Sequence, residues 1–274
     1  MMMIACSVLG IVFCRGTSRI IDGAKSKIAF EDEGEGGIPV ILLHSFGGEV
    51  SHWEDVRRRL SQSRRVISIE FRGHGRSGPP YDGDFSISSM TKDIEAVAKF
   101  LHLNQFVLVG HSMGGSIALE YAGKHPEQVL GLFIVDSGGD PKGIPDSIRD
   151  GVKAALHSDA YEQTTYGYWE QLLAKSNPTI KTRIWKQLAG MPKETVIAVT
   201  ENLLDYDPSP ALENFTGPKY AVVTTENNGP LSLHKLGIGF PYRVMEGVGH
   251  WLHLDTPNEF FPLLQDFLED IHRN

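Results

Sequence analysis

The hexapeptide Gly110-His111-Ser112-Met113-Gly114-Gly115 constrains this chain more than any other stretch. It follows the apolar run Phe106-Val107-Leu108-Val109 and opens a helical stripe that reaches about Lys124, with Pro126 just beyond. A buried strand that passes straight into a helix through G-x-S-x-G must bend sharply. The residues flanking the serine must then be small. The serine is held above the sheet edge, beside the helix N-terminus. Unpaired backbone N–H groups and the positive end of the helix dipole are available there to a developing negative oxygen.

The remaining chain repeats the same alternation of apolar runs and helical stripes, which predicts βα units around a parallel sheet. Val40-Ile41-Leu42-Leu43 is a short aliphatic run that ends at His44-Ser45-Phe46-Gly47-Gly48, and Trp53, Val56 and Leu60 then follow at helical spacing. Val66-Ile67-Ser68-Ile69 leads to Arg72-Gly73-His74-Gly75. Met90, Ile94, Val97, Ala98 and Leu101 next mark one helix face. Leu132-Phe133-Ile134-Val135 ends at Asp136, and the last two strands are expected at Tyr220–Val223 and Tyr242–Met245. Phe260, Leu263, Leu264, Phe267, Leu268 and Ile271 give the last helix its core face.

Between Ser137 and Pro210 the strand-like runs stop, and helix-like stretches are broken by Pro141, Pro145, Pro178 and Pro192. The expected organisation is a core formed by residues 17–136 and 211–274, with a helical cap at 137–210. Met1 to Phe13 is almost wholly apolar and has the length of a signal-peptide hydrophobic region, but no basic stretch precedes it and no A-x-A site follows. Residues 1–16 are therefore set apart as a possible signal or anchor segment. Both an exported or anchored protein and a cytoplasmic one stay open.

The net charge of −8, with no Lys/Arg block, argues against a nucleic-acid partner. Past the N-terminus no apolar run approaches the roughly 18 residues that a membrane span requires, so no integral membrane body is expected. The only two cysteines, Cys6 and Cys14, leave the body of the chain without a thiolate metal site or a cysteine nucleophile. Composition is silent on oligomeric state.

His250 lies in Gly247-Val248-Gly249-His250-Trp251, directly after the last strand. A serine nucleophile needs a base that titrates near neutrality, to take its proton and return it to the leaving group. One of 11 histidines chosen blindly would be structural, and the glycine-flanked loop is what singles out His250. His253 makes an H-x-x-H with it, which without a third ligand is weak as a metal site.

These pieces together resemble the α/β-hydrolase superfamily, in its cap-bearing branch of esterases, lactonases and C–C bond hydrolases. The likeness covers nearly everything from Lys27 onward, including Arg72-Gly73-His74-Gly75-Arg76-Ser77. It implies the α/β-hydrolase fold, with a mostly parallel central sheet flanked by helices and a helical cap. His44-Ser45-Phe46-Gly47 is similar to the family's H-G-x-G loop, with Ser45 in place of glycine. By that resemblance the N–H groups of Phe46 and Met113 form the oxyanion hole.

A triad also needs a carboxylate to orient the imidazole, and most relatives carry it in the loop here reading Thr224-Thr225-Glu226-Asn227-Asn228. Asn228 aligns with the usual aspartate and, being neutral, cannot serve. Asp136, 24 residues after Ser112 at a strand end some relatives use, is the first choice, and Glu226 is the alternative. Ser45, Tyr166 and Trp169 are candidate substrate-binding residues.

The implied activity is cleavage of a small, largely apolar carboxylic ester or lactone through an acyl-enzyme on Ser112, with no cofactor and no metal. C–C bond hydrolysis or perhydrolysis by the same triad is an alternative. So is a small-molecule receptor with slow turnover.

Overall fold

The computed structural model describes residues 16–236 and 240–273, so the apolar N-terminal stretch Met1–Phe13 lies outside the described residues. The chain builds one eight-stranded sheet. Its strands are β1 (Thr17–Asp22), β2 (Lys27–Glu33), β3 (Val40–Leu43), β4 (Val66–Glu70), β5 (Phe106–His111), β6 (Val129–Val135), β7 (Lys219–Thr224) and β8 (Tyr242–Met245), in the order β1-β2-β4-β3-β5-β6-β7-β8. From β4 to β8 every neighbouring pair is parallel, and β1 and β2 join antiparallel at one edge. All six apolar runs expected as strands are strands of this sheet. β1 and β2 have no counterpart in the sequence reading, because β1 is exposed along nearly its whole length and β2 ends in Glu31-Asp32-Glu33.

Side chains alternate across the parallel strands, so each strand feeds two cores. Ile41, Leu43, Ile67, Ile69 and Leu108 pack on one face with α2 (Ile87–Phe100) and α3 (Met113–Lys124). Val40, Leu42, Val66, Val107 and Val109 pack on the other, against α1 (Glu54–Leu60) and the final helices.

Between β6 and β7 the chain is helical, as α4 (Asp146–Leu156), α5 (Tyr161–Leu172), α6 (Pro178–Ala189), α7 (Lys193–Asp205) and α8 (Ser209–Asn214). α8 spans residue 210 and lies on α3, where Gly123 faces Ala211 too closely for any larger side chain. The inserted helices hold their own apolar cluster of Trp169, Leu173, Ile184, Leu188 and Val196, which closes onto Trp251 of the main body. After β8 come the short α9 (Leu252–Asp255) and the amphipathic α10 (Pro257–Arg273). Among the described residues no helix is long and apolar enough to cross a membrane.

Candidate active site

Ser112 sits where β5 becomes α3, with φ 54° and ψ −119°. A non-glycine residue there is strained by an amount on the order of 1–3 kcal/mol, and persists only because its surroundings fix it. They do so on both sides. Ser112 N–H donates to the Val135 carbonyl at 2.9 Å, and the Ser112 carbonyl accepts from Gly115 N–H at 2.8 Å and from Ser137 Oγ at 2.7 Å.

The glycines around it are there for space. A Cβ at Gly110 would strike the Gly114 carbonyl oxygen. One at Gly114 would lie 2.5 Å from the His44 carbonyl oxygen, and one at Gly115 would lie 2.8 Å from Ser137 Cβ. The helix start is thus pressed onto the end of β5 and onto the loop after β3.

Asp136 ends β6 with φ 43°. Its Oδ1 accepts from Thr224 N–H at 2.7 Å and from Thr224 Oγ1 at 3.0 Å. Its Oδ2 lies 2.6 Å from His250 Nδ1. With a carboxylate on that side, Nδ1 carries the proton and donates, and Nε2 is left as the basic nitrogen. The carboxylate is 2% exposed and the imidazole 10%, so the pair meets largely out of water.

The His250 backbone is tied as well. Its N–H donates to the Leu172 carbonyl of α5, and its carbonyl accepts from His111 Nε2 at 2.9 Å. His111 must be neutral in the folded protein: burial, then the neighbouring His250, push its pKa well below the ordinary histidine value. A neutral donor can brace His250 without opposing a positive charge on it.

Glu226 is placed differently from Asp136. It is half-exposed and pairs with Lys175 of the segment after α5, which holds its carboxyl below the usual range. Asn228 accepts from His234 Nε2 at 3.1 Å. His253 stacks on Trp53 at 4.3 Å, and among the described residues no group of three or more His, Cys, Asp or Glu is placed to hold a metal.

The loop after β3 is braced by His44. Its Nε2 accepts from Phe71 N–H at 3.1 Å, so Nδ1 donates to the Ser45 carbonyl at 2.7 Å. Burial holds its pKa well below the ordinary value, in keeping with this neutral form. The left-handed position in the loop is Gly47, with φ 67°, and not Ser45. Serine therefore replaces the family's glycine without backbone strain. The neighbouring Arg72 turn is a scaffold: its buried guanidinium meets Asp93 at 2.6 Å and the Ser89 carbonyl at 2.8 Å.

Ser112, His250, Asp136, Phe46, Met113 and Ser45 all line one cavity of about 1010 Å³. Its other walls come from the loop after β7, where Glu226 also lines it, and from the inserted helices, chiefly Leu156, Tyr168, Trp169, Leu172, Leu203 and Leu204. It opens beyond the C-terminal ends of the parallel strands, where open α/β sheets bind their ligands. Of the aromatic residues expected to meet substrate, Trp169 lines this cavity. Tyr166 lines a smaller neighbouring cavity of about 420 Å³. The leucines of α7 are lining residues that helical periodicity could not single out, because it does not say which face of an inserted helix turns toward the site.

The family model described as alpha/beta hydrolase fold matches residues 38–196. The chain is 27% identical over 263 residues to the sn-1-specific diacylglycerol lipase ABHD11 of Xenopus laevis, covering 85% of this chain and 80% of that protein. It is 35% identical over 132 residues to the dihydrolipoyllysine-residue acetyltransferase component of an acetoin cleaving system of Pseudomonas putida, where the match spans 48% of this chain and only 35% of that protein. Among solved structures, Est816, an N-acyl homoserine lactone degrading enzyme, superposes with a TM-score of 0.80 at 27% identity, covering 91% of this chain and 100% of its own. An esterase from Exiguobacterium antarcticum shares the fold with a TM-score of 0.79 at 24% identity, over 92% of this chain and 100% of that one.

Proposed function

We propose, from the premise that this chain belongs to the alpha/beta hydrolase fold family, that it is a serine hydrolase cleaving a largely apolar carboxylic ester or lactone through an acyl-enzyme on Ser112. The observation that carries this reading is the 2.6 Å Asp136–His250 bond within the same cavity as a serine held at a strained φ of 54°.

Ser112 Oγ attacks the carbonyl carbon as His250 Nε2 takes its proton. The new oxyanion is met by the N–H groups of Phe46 and Met113, the latter the first residue of α3 and so without a helical acceptor. Collapse of the intermediate breaks the ester C–O bond, and the imidazolium hands its proton to the departing alkoxide. Water then attacks the acyl-enzyme, with His250 as base, and the acid leaves. Asp136, fixed by Thr224, keeps the imidazole in the reactive tautomer and stabilises its cation.

The relatives named as a diacylglycerol lipase and a lactone-degrading enzyme support ester-type substrates. A cavity of about 1010 Å³ walled by leucines, Tyr168 and Trp169 favours a sizeable apolar acyl or alcohol group. The inserted helices at 137–210 act in this reading as a cap that supplies that wall.

Wild type is expected to turn over aryl esters and to be labelled by a fluorophosphonate. Ser112→Ala is expected to lose both at unchanged thermal stability, whereas labelling retained at another residue would remove Ser112 from the mechanism.

A further inference from the structure

The inserted helix α5 is tied to the active site through its own backbone, since the Leu172 carbonyl accepts the His250 N–H at 3.3 Å. One turn before Leu172, about 5.4 Å along the helix axis, stands Tyr168. Thr164, Tyr168, Gln171 and Leu172 all line the main cavity, which is the spacing of a single helix face, and three of the four carry a polar group. By contrast, α4 and α7 bring the aliphatic side chains Val152, Leu156, Leu203 and Leu204 to the same space. Tyr168 is 57% exposed, and that exposure is to the cavity. Its hydroxyl lies deep in the molecule, where burial, and then the Asp136 carboxylate, raise its pKa above the ordinary tyrosine value. The hydroxyl therefore keeps its proton and can donate. Among the described residues, neither this hydroxyl nor the Gln171 amide has a hydrogen-bond partner. Hydrocarbon packed against the ring would strip the hydroxyl of water and give it no acceptor in return, which opposes binding.

The geometry points to Tyr168 as a specificity-determining residue: its hydroxyl donates to a second oxygen of the substrate, distinct from the scissile carbonyl, so that the preferred ester is apolar along most of its length but carries one hydrogen-bond acceptor facing α5. This rests on the ester-hydrolase reading above. A site that hydrogen-bonds a substrate group disfavours the analogue lacking it, because the site's own polar group is then left unpaired.

The test uses p-nitrophenyl hexanoate and hexyl acetate as hydrocarbon parents. Each is compared with esters in which one methylene of the chain is replaced, position by position, by an ether oxygen, which accepts a hydrogen bond at nearly unchanged size. The readout is the ratio of kcat/KM for the ether ester to that for its parent, in wild type, Tyr168→Phe and Gln171→Leu. At the position that faces Tyr168, this ratio is expected to be about 3- to 10-fold higher in wild type than in Tyr168→Phe, the range of one neutral hydrogen bond. Comparing ratios between proteins cancels the intrinsic reactivity of the ether esters. A merely structural tyrosine would lower both esters together and leave the ratio unmoved.

A ratio equal in wild type and Tyr168→Phe at every position overturns the role of the hydroxyl, and so does a ratio that falls only in Gln171→Leu. A wild type that hydrolyses no ester of the panel overturns the ester reading instead. Binding of the same intact esters to Ser112→Ala and Ser112→Ala/Tyr168→Phe, read from the melting-temperature shift, then decides the role of the hydroxyl by itself.

Discussion

Asp136 has each carboxylate oxygen committed to a different task. Oδ1 accepts two hydrogen bonds from Thr224, one from its N–H and one from its Oγ1–H, and Oδ2 faces His250 Nδ1 at 2.6 Å. Asparagine at this position has one acceptor oxygen, and Thr224 claims it. The amide NH2 is then forced toward Nδ1, which must become an acceptor, and the proton moves to Nε2. Under the proposed mechanism the base is then lost even though the fold is kept. Asp136→Asn is therefore expected to lower kcat by about 10³–10⁴-fold, as a wrong-tautomer substitution does in serine proteases, with little change in KM. Glu226→Gln, which breaks an exposed pair with Lys175 at the cavity lining and leaves the Asp136–His250 bond untouched, should stay within a few-fold of wild type. Steady-state kinetics on one aryl ester compares the two, and a larger loss for Glu226→Gln would transfer the acid role to Glu226. The sequence could not decide between these carboxylates. Their difference arises only when the end of β6 is set beside the histidine loop, 114 residues away along the chain.

At the scale of elements, the elbow works because α3 starts in contact with two other backbones. A Cβ on Gly114 would lie 2.5 Å from the His44 carbonyl oxygen and 2.6 Å from that of Leu43, and neither is a flexible side-chain end. Gly114→Ala must push the loop after β3 away from α3. We expect a loss of about 1–3 kcal/mol in urea unfolding, typical of overpacking, and a fall in kcat out of proportion to it because Phe46 moves with the loop. Gly151, inside exposed α4 with nothing near its missing Cβ, is the opposite case. Gly151→Ala should stabilise by up to about 1 kcal/mol at unchanged activity. A destabilised Gly151→Ala would mean that α4 is not helical at that point. The elbow and the six expected strands are legible in the sequence because turn chemistry and short, largely apolar runs are local signals. β1 and β2 are not, since β1 is open to water, the buried run Ile28-Ala29-Phe30 of β2 is too short to stand out, and both take their register from pairing. The assignment of Tyr166 to a second cavity was equally beyond reach, because it depends on how α5 and α6 rotate against each other.

Across the whole molecule, closing two cores and an inserted helical layer around the site has removed several histidines from water in their neutral form. His52 and His74 are each pushed down by burial to about 4, and burial also lowers His44, His111 and His253. Their bonds suit the neutral state: His74 Nδ1 donates to the Arg72 carbonyl, and His52 Nε2 meets Gln187 of α6 at 2.8 Å. In the unfolded chain the same rings titrate near 6.5. Above that pH neither state is protonated and the histidines do not affect folding. As the pH falls from about 6.5 toward 4 the unfolded chain takes up protons that the folded protein refuses, so stability drops. Each such ring contributes a slope of up to about 1.4 kcal/mol per pH unit, and the loss levels off once the folded-state pKa is passed. Urea unfolding at pH 7, 6 and 5 should give steadily lower midpoints. His52→Gln, which cannot titrate, should remove about one ring's share of that slope. A midpoint that holds level or rises between pH 6.5 and 5 would mean that these histidines are charged in the folded protein, and that the layers closed over them admit water.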